Sequence, residues 1–71
     1  MSEVQSVLFD KKIWLPKPSE NWLKWHNLKP IKNVHVTDNY LRYRINNKDK
    51  YKRIRTKKLK DGIRILMGYK N

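Results

Sequence analysis

The N-terminal part of the chain contains one strand pattern followed by one helix pattern. Residues 4–9 (VQSVLF) form a short β-branched and aromatic run, which predicts a strand. From position 15 to 26, apolar and small residues recur at the spacing of a 3.6-residue turn: Leu15, Ser19, Trp22, Leu23 and His26. Pro16 suits the first turn of a helix and Pro30 ends one, so the pattern predicts a helix over 16–27.

Beyond the predicted helix, the hydrophobic pattern changes to a period of two, which is typical of strands. The apolar positions are even at first (Val34 and Val36) and then odd (Leu41, Tyr43 and Ile45). A continuous strand keeps one parity on one face. The change of parity therefore predicts a bulge or tight turn near 37–39.

Two further strands are predicted in the last third of the chain. A polar cluster over 46–50 predicts a turn, and residues 51–59 (YKRIRTKKL) predict the strand after it. Asp61-Gly62 is typical of a type I′ hairpin, and residues 63–69 (IRILMGY) predict the last strand. The order β-α-β-β-β predicts an α+β fold, a small two-layer domain with one helix packed on a mostly antiparallel sheet of three to four strands. The length predicts a single domain over 1–71.

The charge of the chain is strongly positive and unevenly distributed. There are 18 lysines and arginines against 6 aspartates and glutamates, which gives a net charge of +12. Residues 37–71 hold twelve of the basic and three of the acidic residues, a net charge of +9. At such a density the basic side chains repel one another, unless a polyanionic partner binds and offsets the repulsion. The C-terminal half is therefore predicted to be the binding surface.

The pleat of the predicted strands indicates where these charges lie. If Leu41, Tyr43 and Ile45 face the helix, positions 40, 42 and 44 face solvent. If Ile54 faces the core, the odd-numbered residues of its strand lie on the same solvent-facing side of the sheet as positions 40, 42 and 44. One open surface would then carry Tyr40, Arg42, Arg44, Tyr51, Arg53, Arg55, Lys57 and Arg64. Lys50, Lys52, Lys58 and Lys60 complete the predicted set of nucleic-acid-binding residues.

This predicted surface favours a phosphate backbone as its ligand. Like charges on neighbouring strands repel each other, and a bound phosphate backbone would offset that cost. The guanidinium fork matches phosphate oxygens, and the tyrosines could stack on unpaired bases. Two alternatives stay open. The basic face could dock on an acidic protein surface, or it could be solvated and have no ligand. The second is open because AT-rich coding also enriches lysine, asparagine and isoleucine, whatever the protein binds.

Residues for catalysis or metal binding are sparse. The chain has no cysteine, and the two histidines with scattered acids do not supply the ligands of a zinc site. His35 with Asp38 is the one pair that suggests a metal or a general base, whereas His26 is expected to pack or cap. Trp14, Trp22 and Trp25 are expected in the core rather than in a stacking surface, with Trp25 beside the apolar stripe of the helix and half exposed. We therefore expect a non-enzymatic protein without a cofactor or metal.

A spaced set of motifs covers the chain from Val7 to Gly68. The motifs are Trp14-Leu15-Pro16, Trp22-Leu23, His26, Lys29-Pro30, NYLRYR at 39–44, RTKKL at 55–59, Gly62-Ile63 and Gly68. In this set the chain resembles a small basic module that recurs in proteins of tailed phages and large eukaryotic DNA viruses. In similar sequences a threonine that would cap the helix often precedes the first proline, and here Leu15 takes its place. The resemblance implies a viral setting and no particular chemistry.

These features together predict a small viral protein that binds nucleic acid, with DNA favoured over RNA, mainly through phosphate contacts. Low sequence specificity is expected, because the predicted helix carries only Lys17 and Lys24 and is unlike a recognition helix. The alternative function is a minor virion or capsid-associated component that docks on an acidic protein surface.

The expected location is the interior of the host cell, in the cytoplasm or nucleus, with packaging in the virion left open. The first residues show no signal-peptide pattern, and no apolar run approaches the ~20 residues that span a bilayer, so no membrane partner is expected. The oligomeric state is left open, including pairing of two copies through an exposed first strand at the sheet edge.

Overall fold

The computed structural model of the chain describes residues 2–70, which form one α-helix, one 3₁₀ turn and five strands. The elements are β1 (Ser2–Asp10), α1 (Pro16–Trp25), β2 (His35–Val36), β3 (Tyr40–Arg44), the 3₁₀ turn (Lys48–Lys50), β4 (Arg53–Lys58) and β5 (Ile63–Tyr69). The strands form one antiparallel sheet in the order β2-β3-β1-β5-β4. The structure confirms the α+β fold with one helix, but the sheet has five strands rather than three to four.

The additional strand results from the turn predicted near 37–39. The amide of Thr37 donates to the carbonyl of Tyr40 at 2.8 Å, and the Thr37 hydroxyl accepts from the Tyr40 amide at 2.9 Å. This tight turn divides the predicted region into the two-residue β2 and the five-residue β3, which pair with each other.

β1 lies in the centre of the sheet, between β3 and β5, so it is not the exposed edge strand through which two copies could have paired. Its pairing with β5 shifts between Val4 and Ser6, so Gln5 is the extra residue of a β-bulge. Because of this bulge, Val4 and Val7 both face the helix. The edges of the sheet are β2 and β4.

α1 begins at Pro16 as predicted and ends two residues earlier than predicted. Leu15 is the N-cap, makes no side-chain cap hydrogen bond and is 69% exposed, so it does not belong to the buried stripe. In the first turn the Ser19 hydroxyl donates to the carbonyl of Pro16 at 2.7 Å. After the helix, Asn27 has φ 56, a left-handed conformation that α-helices do not continue through.

The core lies between α1 and the face of the sheet that α1 covers. Its buried members are Val7, Phe9, Leu23, Leu41, Tyr43 and Ile63. The ring centroid of Phe9 lies 5.0 Å from that of Trp14 and 5.6 Å from that of Trp22. The expectation that the tryptophans pack in the core is therefore confirmed for these two and wrong for Trp25, which is 85% exposed.

Candidate nucleic-acid interface

A row of cations crosses the sheet on the face opposite α1. Arg42 of β3 pairs with Leu8 of β1, Leu8 pairs with Arg64 of β5, and Arg64 pairs with Lys58 of β4. Cross-strand partners lie on the same face of a sheet, so these side chains form one surface. We call it the open face: Asp10, His35, Tyr40, Arg42, Arg44, Lys58 and Arg64, with Leu8, Ile54, Thr56 and Leu66 among them.

The arginines of β4 face the other way. Arg53 pairs with Tyr69, Arg55 with Met67 and Lys57 with Ile65, and Ile65 also pairs with the buried Val7 of the core. These three cations therefore lie on the helix side of the sheet. The prediction that they share one surface with Arg42 and Arg44 is wrong, and Ile54 lies on the open face rather than toward the core.

The length of the β4–β5 hairpin loop explains this reversal. A two-residue Asp61-Gly62 loop would pair Lys60 with Ile63. Instead, the amide of Leu59 donates to the carbonyl of Ile63 at 2.8 Å, so residues 60–62 form the loop. One additional loop residue shifts the register by one position and moves every β4 side chain to the opposite face.

In the described part of the chain none of the open-face cations forms an ion pair within 4 Å, although Asp10 lies on the same face. Among residues 2–70 the one ion pair within 4 Å joins Lys70 Nζ to Glu3 Oε1, at 3.7 Å. The guanidinium carbon of Arg64 lies 5.4 Å from the centroid of the Tyr40 ring, which holds this cation against an aromatic surface. A depression of about 160 Å³ opens beside this pair, and Tyr40, Lys58, Arg64 and Asp10 are among its lining residues.

The two predicted tyrosines have different surroundings. Tyr40 lies on the open face as predicted. The ring of Tyr51 also lies on this side of the sheet, where it packs directly over Gly68, and its hydroxyl donates to Glu3 Oε1 at 3.0 Å. Burial and this hydrogen bond raise the pKa of Tyr51, while the same bond and nearby Lys70 lower the pKa of Glu3. Tyr51 is thus held by contacts within the protein, and its ring is not a free stacking surface.

The remaining predicted cations lie in exposed segments around β4. Lys50 belongs to the 3₁₀ turn, and its Nζ lies 3.4 Å from Asn46 Oδ1. Lys52 directly precedes β4, where its amide donates to the carbonyl of Tyr69 at 2.8 Å. Lys60 lies in the hairpin loop. All three are exposed, and none of them belongs to the row of cross-strand partners that crosses the sheet.

Three contributors were missed from the sequence. Leu8 occupies the middle of the cation row, His35 extends it onto β2, and Tyr69 lies close to two guanidinium groups on the other face. The alternation within VQSVLF already separates Leu8 from Val7 and Phe9. The neighbours of Leu8, however, depend on the central position of β1, which no local pattern predicts.

A larger groove of about 740 Å³ lies on the helix side, between the C-terminal half of α1 and the segment that follows it. Leu23, Leu28 and Val34 line its floor, and Lys24, Lys29 and Lys32 are among its other lining residues. Glu20 is the one acidic residue in this lining. The groove therefore offers apolar contacts and further positive charge, with Glu20 as its one carboxylate.

Within residues 2–70 no three His, Cys, Asp or Glu side chains are grouped so as to hold a metal ion. The same part of the chain has no helix that is long and apolar enough to cross a membrane. In comparisons with known proteins, no family model, no curated protein and no solved structure matches the chain. The similarity to viral modules stays a prediction from the motif set.

Proposed function

We propose that the chain is a small, viral, non-enzymatic protein that binds nucleic acid on the open face, mainly through the phosphate backbone. The observation that carries this proposal is the unneutralised row of Arg42, Arg64 and Lys58 across three strands. Without a ligand, the directly opposed Lys58 and Arg64 repel each other. A phosphate between them would remove the repulsion, and its counterions would be released to solvent.

The composition of the open face favours backbone contacts over the reading of base sequence. A sheet surface with long cations does not enter the major groove as a recognition helix does. The depression lined by Tyr40, Lys58 and Arg64 offers a phosphate two cations and a phenol ring, which together outweigh the single carboxylate of Asp10 in the same lining. Leu8 and Leu66 lie next to the cations and suit contacts with sugars or the faces of unpaired bases. Low sequence specificity follows from such contacts.

The viral setting rests on the sequence resemblance. Tailed phages and large eukaryotic DNA viruses have DNA genomes, so DNA is proposed as the ligand in preference to RNA. Salt dependence tests the phosphate part of the proposal, and a comparison of DNA with RNA strands of the same sequence tests the preference.

The experiment is fluorescence anisotropy with labelled single-stranded and duplex oligonucleotides between ~50 and 300 mM NaCl. We expect the logarithm of the affinity to fall steeply with the logarithm of salt concentration. Arg44→Gln and Arg64→Gln should each reduce that slope by about one. Lys17→Gln is the matched control, because it removes the same charge from an exposed helix position away from the open face.

Two outcomes would contradict the proposal. Absence of binding to any oligonucleotide at 50 mM salt would favour the alternative, docking on an acidic protein surface. An equal reduction of the slope by Lys17→Gln and Arg64→Gln would mean that only the net charge matters and that the open face is not the site. Cleavage of the oligonucleotide with added Mg²⁺, lost in Asp38→Asn, would contradict the non-enzymatic part.

A further inference from the structure

The helix side of β4 carries a second group of cations, which we call the edge strip: Arg53, Arg55 and Lys57. All six residues of β4 are exposed, which shows that α1 does not cover this strand. α1 instead packs over β3, which β1 and β5 separate from β4: the Ser19 hydroxyl of α1 is 2.8 Å from the Tyr43 hydroxyl of β3. The edge strip is therefore open to a ligand from the helix side.

An aromatic ring orders two of the three cations in the edge strip. The guanidinium carbons of Arg53 and Arg55 lie 5.7 Å and 6.0 Å from the centroid of the Tyr69 ring. Side chains held in this way lose less conformational freedom when they bind a ligand. Among residues 2–70 none of these cations forms an ion pair with a carboxylate. The strip thus combines the charge and the aromatic ring that nucleic-acid surfaces use.

The spacing of the edge strip fits an extended polyanion. Alternate residues on one strand are about 6.6 Å apart, so the strip spans about 13 Å. One strand of B-form DNA has a phosphate every 3.4 Å along the axis, so a strip of this length can face more than one phosphate. A single bound ion would not use this length.

The edge strip and the open face lie on opposite sides of the sheet. Lys57 and Lys58 are neighbours in β4, yet Lys57 pairs with Ile65 above the core and Lys58 with Arg64 on the open face. A segment lying across the open face leaves the edge strip free. We propose that the edge strip is a second nucleic-acid site, so that one molecule bridges two segments; this inference rests on the proposed function of the open face.

The test is energy transfer between two duplexes, one labelled with a donor and one with an acceptor, mixed with the whole protein at low salt. Bridging predicts that energy transfer rises with protein concentration and falls again when protein is in excess, because each duplex then has its own protein. Analytical ultracentrifugation with excess DNA should find complexes of one protein and two duplexes.

Three variants that each lose three positive charges locate the two sites. Arg53→Gln with Arg55→Gln and Lys57→Gln should abolish energy transfer while most single-duplex binding by anisotropy is retained. Arg44→Gln with Lys58→Gln and Arg64→Gln should weaken binding at the open face and also abolish transfer. Lys17→Gln with Lys24→Gln and Lys32→Gln, all at exposed positions away from both surfaces, should leave transfer close to the wild-type level.

The outcomes separate this inference from the proposed function. Anisotropy without energy transfer would overturn the second site and leave the open-face proposal standing. Transfer carried only by complexes with two protein molecules would also overturn it, because dimers would then bridge the duplexes. Absence of any binding would overturn the proposed function itself.

Discussion

At the scale of single residues, Gly68 is a position where the structure has no room for a side chain. A Cβ added at this position would overlap the ring of Tyr51, which packs directly on the β5 backbone. The ring in turn places its hydroxyl on Glu3, and Glu3 forms the ion pair with Lys70. One missing methyl group thus permits a chain of contacts that joins β1, β5 and the segment before β4.

Gly68→Ala should therefore destabilise the protein by about 1–3 kcal/mol, because the Tyr51 ring must leave its position. Urea denaturation followed by tryptophan fluorescence measures the change. In a background of Tyr51→Ala the same substitution should cost much less, since the ring is gone. An equal cost in both backgrounds would mean that the overlap with Tyr51 is not the cause.

Tyr43 illustrates a buried phenol whose ionisation opposes folding. Burial raises the pKa of Tyr43 above 10.0, and Glu20 adds to the rise, while the hydrogen bond with Ser19 opposes it. Because the pKa is higher in the folded state, the contribution of this group to stability is complete below pH 10 and is lost as the pH rises through the folded value.

Tyr43→Phe should cost about 1 kcal/mol near pH 7, where it removes a hydrogen bond, and should make the stability fall less steeply above pH 10 than in the wild type. Thermal unfolding by circular dichroism between pH 7 and 11 gives both effects. Tyr40→Phe, on the open face, is the control for the loss of one phenol. A wild-type slope in Tyr43→Phe would show that Tyr43 does not contribute to the alkaline transition.

At the scale of elements, the segments with a buried face could be predicted well from the sequence. β5 was predicted over 63–69 and forms over Ile63–Tyr69, and α1 begins at the predicted Pro16. The turn near 37–39 followed from the change of hydrophobic parity between β2 and β3. In each case burial of one face against the core produces the hydrophobic periodicity, so the sequence pattern shows where the element lies.

β4 could be located from the sequence but not oriented, because it buries neither face. Its residues are all exposed, and cations occupy both odd and even positions. A strand of this kind has no hydrophobic pattern to fix its register, which is then decided by the hairpin loop. The bulge at Gln5 and the central position of β1 were unpredictable for a related reason, since both depend on which strands become neighbours.

The charges of β4 also have a consequence for association. β4 is an edge strand of six residues, and such a strand can pair with another copy unless charge prevents it. Arg55→Val with Lys57→Val should therefore promote self-association, seen as a higher mass in size-exclusion chromatography with light scattering. Lys17→Ala with Lys24→Ala removes the same charge from α1 and should leave the mass unchanged; an increase there too would attribute association to net charge alone.

At the scale of the whole molecule, the balance of charges is the dominant feature. A net charge of +12 is held in a molecule with a radius of gyration of 11.6 Å and a longest extent of 34 Å. The screening length is about 30 Å at 0.01 M salt and about 8 Å at 0.15 M. At low salt each cation therefore repels nearly all the others, while near-physiological salt limits the repulsion to close neighbours.

The melting temperature of the free protein should therefore rise with NaCl between 10 and 150 mM, by about 4–8 °C if the relief of repulsion is about 1 kcal/mol. A variant that combines Lys17→Gln, Lys24→Gln, Lys32→Gln and Lys48→Gln has four fewer charges and should show a smaller rise. With a saturating oligonucleotide the dependence should reverse, because salt weakens phosphate binding and removes the stabilisation that the ligand provides. The two melting curves should then converge as salt increases. A melting temperature of the free protein that falls with salt would show that repulsion among its own charges does not limit stability. The argument that a bound polyanion relieves repulsion on the open face would then fail.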